Sequence, residues 1–162
     1  MDFGFDRFDL TKITRKIELP EITVPGRPVL TLVVRYAGPG NRNWEAAQFR
    51  ANAVRKPAPT ESPAEPAPDP DPDAAYAALM VTAERNRREL TEMLAGPVLT
   101  GWENVFDDDR PVAFSIDTAR QFLDEMMAKV WSIFNDRMAR YVVDQANFRT
   151  APVVDPVDLG KG

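Results

Sequence analysis

A chain of 162 residues, 44% hydrophobic and 9% aromatic, holds enough apolar side chains for one ordinary core or two small ones. With no histidine and no cysteine it offers no imidazole base, thiolate, disulfide or usual zinc ligand, so an enzyme built on those groups is excluded and no metal or cofactor is expected. The net charge of −5 is unevenly spread: residues 1–56 carry 10 Lys/Arg against 6 Asp/Glu, 57–73 none against 5, and 74–162 carry 10 against 14.

In chain order, Arg15 to Val24 and Val29 to Tyr36 are β-branched and alternating, which predicts two strands joined at Pro25-Gly26-Arg27-Pro28. Pro25 presets φ and Gly26 accepts the positive φ of a type II turn, while Pro20 pushes its strand to a sheet edge. Leu30, Leu32, Val34 and Tyr36 should share one face, with Phe3, Phe5, Phe8 and Leu10 supplying a third strand or a cover. Asn41 reads as an N-cap for a helix from Arg42 to Arg55 that turns Trp44, Ala47 and Phe49 to one side. Residues 1–56 are thus a small β-α module whose sheet edge either recruits a strand from a partner or sister chain, or is blunted by Pro20 and charges.

Residues 57–73 hold 7 of the 15 prolines and five acids. Such a segment buries too little apolar area to offset its ordering entropy, and is expected to be a flexible Pro/Asp linker. Asp73 then caps a helix over about 74–95, with Tyr76, Leu79, Met80, Ala83, Leu90 and Leu94 near the 3.6 period and Gly96-Pro97 as its stop. The stretch 98–115 reads as a packed hinge with an acidic turn at Asp107-Asp108-Asp109. Ser115 caps the next helix, whose stripe of Ala119, Phe122, Leu123, Met126, Met127, Val130, Trp131 and Phe134 is the cleanest in the chain. Met138, Tyr141, Val142 and Ala146 continue it or form a second helix broken near 132–135. The fold class expected is α+β: a β-hairpin/β-α module (1–56), a linker (57–73), a helical module (74–149) and a flexible tail (150–162).

Chemistry finds little to use. The three adjacent aspartates lack the alternation, glycine and distal glutamate of a calcium loop. Glu103 with Asp107 has no nucleophile beside it, and Gly38, Gly40 and Asn41 lack the lysine and hydroxyl of a phosphate loop. The Lys and Arg of the N-terminal third are scattered without aromatic interleaving, which argues against nucleic acid. No apolar run approaches the roughly 18 residues of a membrane span, and the first residues lack a signal-peptide profile, so a cytosolic protein that binds other proteins is expected.

Thr100-Gly-Trp-Glu-Asn-Val-Phe-Asp-Asp-Asp-Arg-Pro-Val-Ala-Phe-Ser115 resembles a pattern in tail assembly chaperones of long-tailed bacteriophages. Those proteins carry a Gly-Trp-Glu-x-Val core, an acidic turn, a Pro-x-x-Phe-Ser step and an apolar helix ending near Asn-Phe, here Asn147-Phe148. Ala37-Gly-Pro-Gly-Asn41 with Trp44 is similar to the family's Gly-Asn and aromatic segment. Arg110 stands where the family commonly has glycine, and the helix after Ser115 lacks a splitting proline. The resemblance implies a non-enzymatic protein of the host cytoplasm, absent from the mature virion. Its implied partners are the tape-measure protein, which it keeps soluble, and the tail-tube protein, which it helps to recruit; self-association is left open. A structural virion protein, in the tail tube or head-tail connector, is the alternative. The residues expected to bind partners or hold the motif are Gly101, Trp102, Glu103, Val105, Phe106, Pro111, Phe114, Phe122, Met126, Met127, Trp131 and Phe148.

Overall fold

The computed structural model describes residues 9–54 and 71–149. The expectations for Phe3, Phe5 and Phe8, for most of the 57–73 linker and for the 150–162 tail lie outside them. Three antiparallel strands, β1 (Thr14–Glu18), β2 (Thr31–Arg35) and β3 (Leu99–Glu103), form a sheet in that order. β2 is central because Thr31-Leu-Val-Val-Arg35 is dense in branched side chains: Thr31, Leu32 and Val34 are buried and Val33 is half-buried. The turn at Val24–Arg27 follows its sequence, for Arg27 N–H donates to the Val24 carbonyl at 3.1 Å and Gly26 sits at φ 83°. The strand expected to run to Val24 ends at Glu18, because Pro20 opens a 3₁₀ turn over Pro20–Ile22. Leu30, Leu32, Val34 and Tyr36 are all buried, on the face that meets the helices.

The third strand comes from beyond the proline-rich segment. Residues 98–115 were expected to be a hinge; instead Leu99–Glu103 pairs with β2, and a short hairpin of β4 (Phe106–Asp107) and β5 (Arg110–Pro111) follows. The register slips between Val33 and Val34, whose partners are Gly101 and Leu99, so Thr100 is the extra residue of a bulge. That extra residue lets Leu99 and Trp102, three apart, both face the helices. The sheet therefore joins the N-terminal mixed β/helix region to the C-terminal helix-rich region, and the two share one core.

α1 (Arg42–Val54) starts where Asn41 was expected to cap it. Asn41 is buried and fully used: Oδ1 accepts from Trp44 N–H at 3.2 Å, and Nδ2 donates to the carbonyls of Tyr36 at 2.9 Å and Pro97 at 2.8 Å. It ties the end of β2, the start of α1 and the approach to β3 together. Asn41→Ala is expected to lower stability by about 2–3 kcal/mol, read as a reduced urea midpoint with an unchanged slope. Ala47 of α1 is buried and Trp44 half-buried, but Phe49 is 75% exposed, because it lies on the side of the helix roughly opposite the packed face.

α2 (Pro72–Leu94) begins two residues earlier than expected, with Asp71 as N-cap in place of Asp73, since Pro72 suits the first helical position. Only its C-terminal half packs: Leu94 is buried and Leu90 half-buried, whereas Tyr76, Leu79 and Met80 are exposed. α3 (Ile116–Lys129) runs antiparallel to it, clamped by Arg87–Asp124 at 2.6 Å and Arg120–Glu92 at 2.8 Å. Its start is a reciprocal box between Ser115 and Thr118, and Asp117 lies in the first turn as its dipole favours. α3 stops at Val130, which leaves helical geometry (φ −137°, ψ 48°), two residues ahead of the expected break. α4 (Trp131–Ile133), a π-helical stretch Phe134–Ala139 and α5 (Arg140–Val143) continue, closed by a 3₁₀ turn at Gln145–Phe148. Arg15 of β1 holds that turn through the carbonyls of Asn147 at 2.9 Å and Arg149 at 3.3 Å.

Candidate protein-binding groove

β3 meets α3 through the Trp102 and Phe122 rings, 5.4 Å apart, and the short β4–β5 hairpin adjoins them. The space left between is a half-open groove of about 540 Å³, within the range of sites that take a helix face or a small ligand. Its apolar lining comes from Ile22 and Leu30 of the N-terminal hairpin, Trp102, Val105, Phe106 and Val112 of the 98–115 block, and Phe122, Met126 and Val130 of α3. The polar lining is Asp107, Thr118, Gln121, Glu125 and Lys129.

Trp102 organises the site. Its ring meets Phe114 edge-on at 5.1 Å and Phe122 at a tilt at 5.4 Å, and its indole N–H donates to the Val112 carbonyl at 2.8 Å. One half-buried side chain thereby fastens the sheet to α3 and to the strand leaving the hairpin. The hairpin itself is held from below by Arg27, which lies 4.6 Å over the Phe106 ring, donates to the Asp108 carbonyl at 2.5 Å and pairs with Asp109. Asn104 and Asp108 take positive φ (61° and 50°) on either side of β4, a conformation that Asn and Asp tolerate better than other side chains. Asn104 is fixed there by donating to the Val29 carbonyl at 2.9 Å.

On the α3 side, Lys129 and Glu125 pair at 2.8 Å, one turn apart. Glu125, by hydrogen bonding and by charge, holds the Lys129 ammonium above the ordinary lysine range. The groove thus is lined by nine apolar side chains together with polar ones and charges of both signs, an arrangement suited to an amphipathic segment.

Of the residues the sequence singled out, the structure brings Trp102, Val105, Phe106, Phe122 and Met126 into this groove, and Phe114 supports Trp102 from behind. The others go elsewhere. Strand alternation puts Gly101 and Glu103 on the opposite sheet face, where Glu103 pairs with Lys16 at 2.7 Å across β2. Gly101 is not in a turn, and a side chain there would meet Val33 only at an ordinary 3.6 Å. Pro111 is exposed on β5 opposite Phe106, and Met127 is buried in the main core. Trp131, placed by periodicity on the packed stripe, is 54% exposed and touches Phe134 at 5.4 Å, since the break at Val130 rotates it off that stripe. Phe148 is fully buried between Tyr36 (5.7 Å) and Tyr141 (5.8 Å).

The sequence did not single out Ile22, Leu30, Val112 or Val130 as lining residues. Val130 follows Phe122 and Met126 at helical spacing, which is a readable signal; Ile22 and Leu30 arrive only through the pairing of β2 with β3. Among the described residues no group of three or more His, Cys, Asp or Glu gathers to hold a metal ion, and no helix is long and apolar enough to cross a membrane. Comparison with protein-family models, with curated proteins and with solved structures gave no match.

Proposed function

We propose that this chain is a non-enzymatic tail assembly chaperone of a long-tailed bacteriophage. It seats an apolar, amphipathic segment of the tape-measure protein in the groove between β3, the β4–β5 hairpin and α3, keeping that protein soluble in the host cytoplasm. It then helps to recruit tail-tube subunits and leaves before the virion matures. The observation that supports this reading most is that the 100–115 block, on which the family resemblance rests, supplies four of the nine apolar side chains that line the groove. Two aromatic side chains in that block, Trp102 and Phe106, are anchors of the kind that dominate protein interfaces. The facing wall is formed by the half-buried side chains of Phe122 and Val130, with Met126 buried beneath them in the core.

The test is co-expression with the tape-measure protein encoded by the same phage. The chain should raise the soluble fraction of that protein, and Phe106→Asp should weaken the effect at least about tenfold per folded molecule; because the ring is 36% exposed and carries the Arg27 contact, the variant should also melt somewhat lower. A tape-measure protein equally insoluble with and without the chain would overturn the proposal. So would stoichiometric amounts of the chain in purified virions, the outcome for a structural component.

A further inference from the structure

α2 is 23 residues long, roughly 35 Å, and its packing stops halfway. The antiparallel register set by Arg120–Glu92 and Arg87–Asp124 brings Lys129, the last residue of α3, level with residues 82–83 of α2. There the chain turns away at Val130. Every residue from 71 to 86 is exposed, including Tyr76 at 65%, Leu79 at 64% and Met80 at 51%. Yet the apolar seam does not end with α3. Tyr76, Met80, Ala83, Arg87, Leu90 and Leu94 follow one another in alternating steps of four and three, the spacing of a helix-packing seam. Its C-terminal part lies on α3, and its N-terminal part continues with nothing of α3 left to meet.

We infer that a second copy of this chain takes the place of α3 there, with the two α2 helices crossing antiparallel about a two-fold axis near Leu79 and Met80. Size and charge both favour this occupant. With Leu79 opposite Met80 of the other copy, Tyr76 comes opposite Ala83, a large side chain over a small one. In the same register Asp73, near the acidic start of α2, comes level with Asn86 and so lies between Arg85 and Arg87 of the other copy. A parallel pair would instead set aspartate against aspartate and arginine against arginine. The antiparallel arrangement is isologous, so it closes at two copies. It also gives the exposed first turns of α2 the tertiary packing that a short helix in water otherwise lacks. None of its residues lines the groove, so this dimer stands or falls independently of the proposed client.

Sedimentation equilibrium of the full chain tests the inference, with a dimer expected at twice the 18.2 kDa chain mass. Leu79→Glu/Met80→Glu should weaken association at least about 100-fold and leave helix content and melting of the monomer unchanged, because both side chains are exposed. Asp73→Arg should weaken it about fivefold, and Arg85→Asp in the same chain should restore it, a rescue that only the antiparallel register produces. A chain that stays monomeric at about 100 μM overturns the inference. A dimer that survives the double glutamate variant, or an Asp73→Arg defect that Arg85→Asp leaves in place, overturns it too.

Discussion

Phe148→Ala is expected to lower the stability of the whole domain by about 4 kcal/mol, a large part of the 5–15 kcal/mol that a domain of this size commands. The ring is fully buried although it belongs to a short 3₁₀ turn at the end of the described chain. Tyr36 of the strand layer and Tyr141 of the helical layer close on it from two sides, and Ala37 N–H donates to the Val142 carbonyl at 2.8 Å beside them. Alanine would leave a cavity bounded by both layers, which cannot collapse without separating the sheet from α5. Chemical denaturation followed by circular dichroism measures the loss. The same variant should bind client with unchanged affinity per folded molecule, since Phe148 is not in the groove.

Trp102→Ala is expected to cost about 3 kcal/mol and to loosen the β4–β5 hairpin as well. Part of the loss is apolar area beside Phe114 and Phe122, and part is the Val112 carbonyl left without its indole donor. Trp102→Phe separates the two terms: it keeps most of the ring contact and should cost only about 1–2 kcal/mol. Urea titration gives the stabilities, and faster hydrogen exchange at 106–111 in the alanine variant alone would report the released hairpin. Unchanged stability in Trp102→Ala would mean that the residue is a surface contact and not an anchor of the fold.

Local signals were legible in the sequence because their causes are local. Gly26 adopts the positive φ that its turn requires, Asn41 caps α1, and Ser115 caps α3, and in each case the turn or capping bond closes within four positions. β3 was not legible. Gly101 removes one side chain from its alternation and the Thr100 bulge shifts the rest by one, so Leu99 and Trp102 break the period-two pattern while sharing a face. Its partner β2 lies more than sixty residues earlier, beyond the reach of any window of periodicity. Half the groove depends on that pairing, which is why Trp102, Phe122 and Met126 were singled out and Ile22 and Leu30 were not. α2 illustrates a different limit: periodicity says that an apolar face exists, and only the place where α3 ends decides how much of it is covered within one chain. Trp131 misled for the same reason, since a stripe drawn through an unbroken helix passes over the turn at Val130.

Charge adds a modest conditional term. Glu21, on the turn between β1 and β2, accepts from its own backbone N–H and from Arg137 of the π-helical stretch, whose Nε lies at 2.6 Å; both hold its carboxyl below the usual glutamate range. A depressed carboxylate stabilises the fold above its unfolded pKa, and that stabilisation is lost as the pH falls through the folded value. The tie between hairpin and C-terminal helices therefore weakens only in acid.

The most direct measurement is hydrogen–deuterium exchange of the chain alone and with an apolar helical segment of the tape-measure protein. The proposed function predicts slowed exchange concentrated at 105–112 and 118–130, the two walls of the groove. Binding with protection elsewhere, or no binding at concentrations that saturate other client complexes, would contradict it.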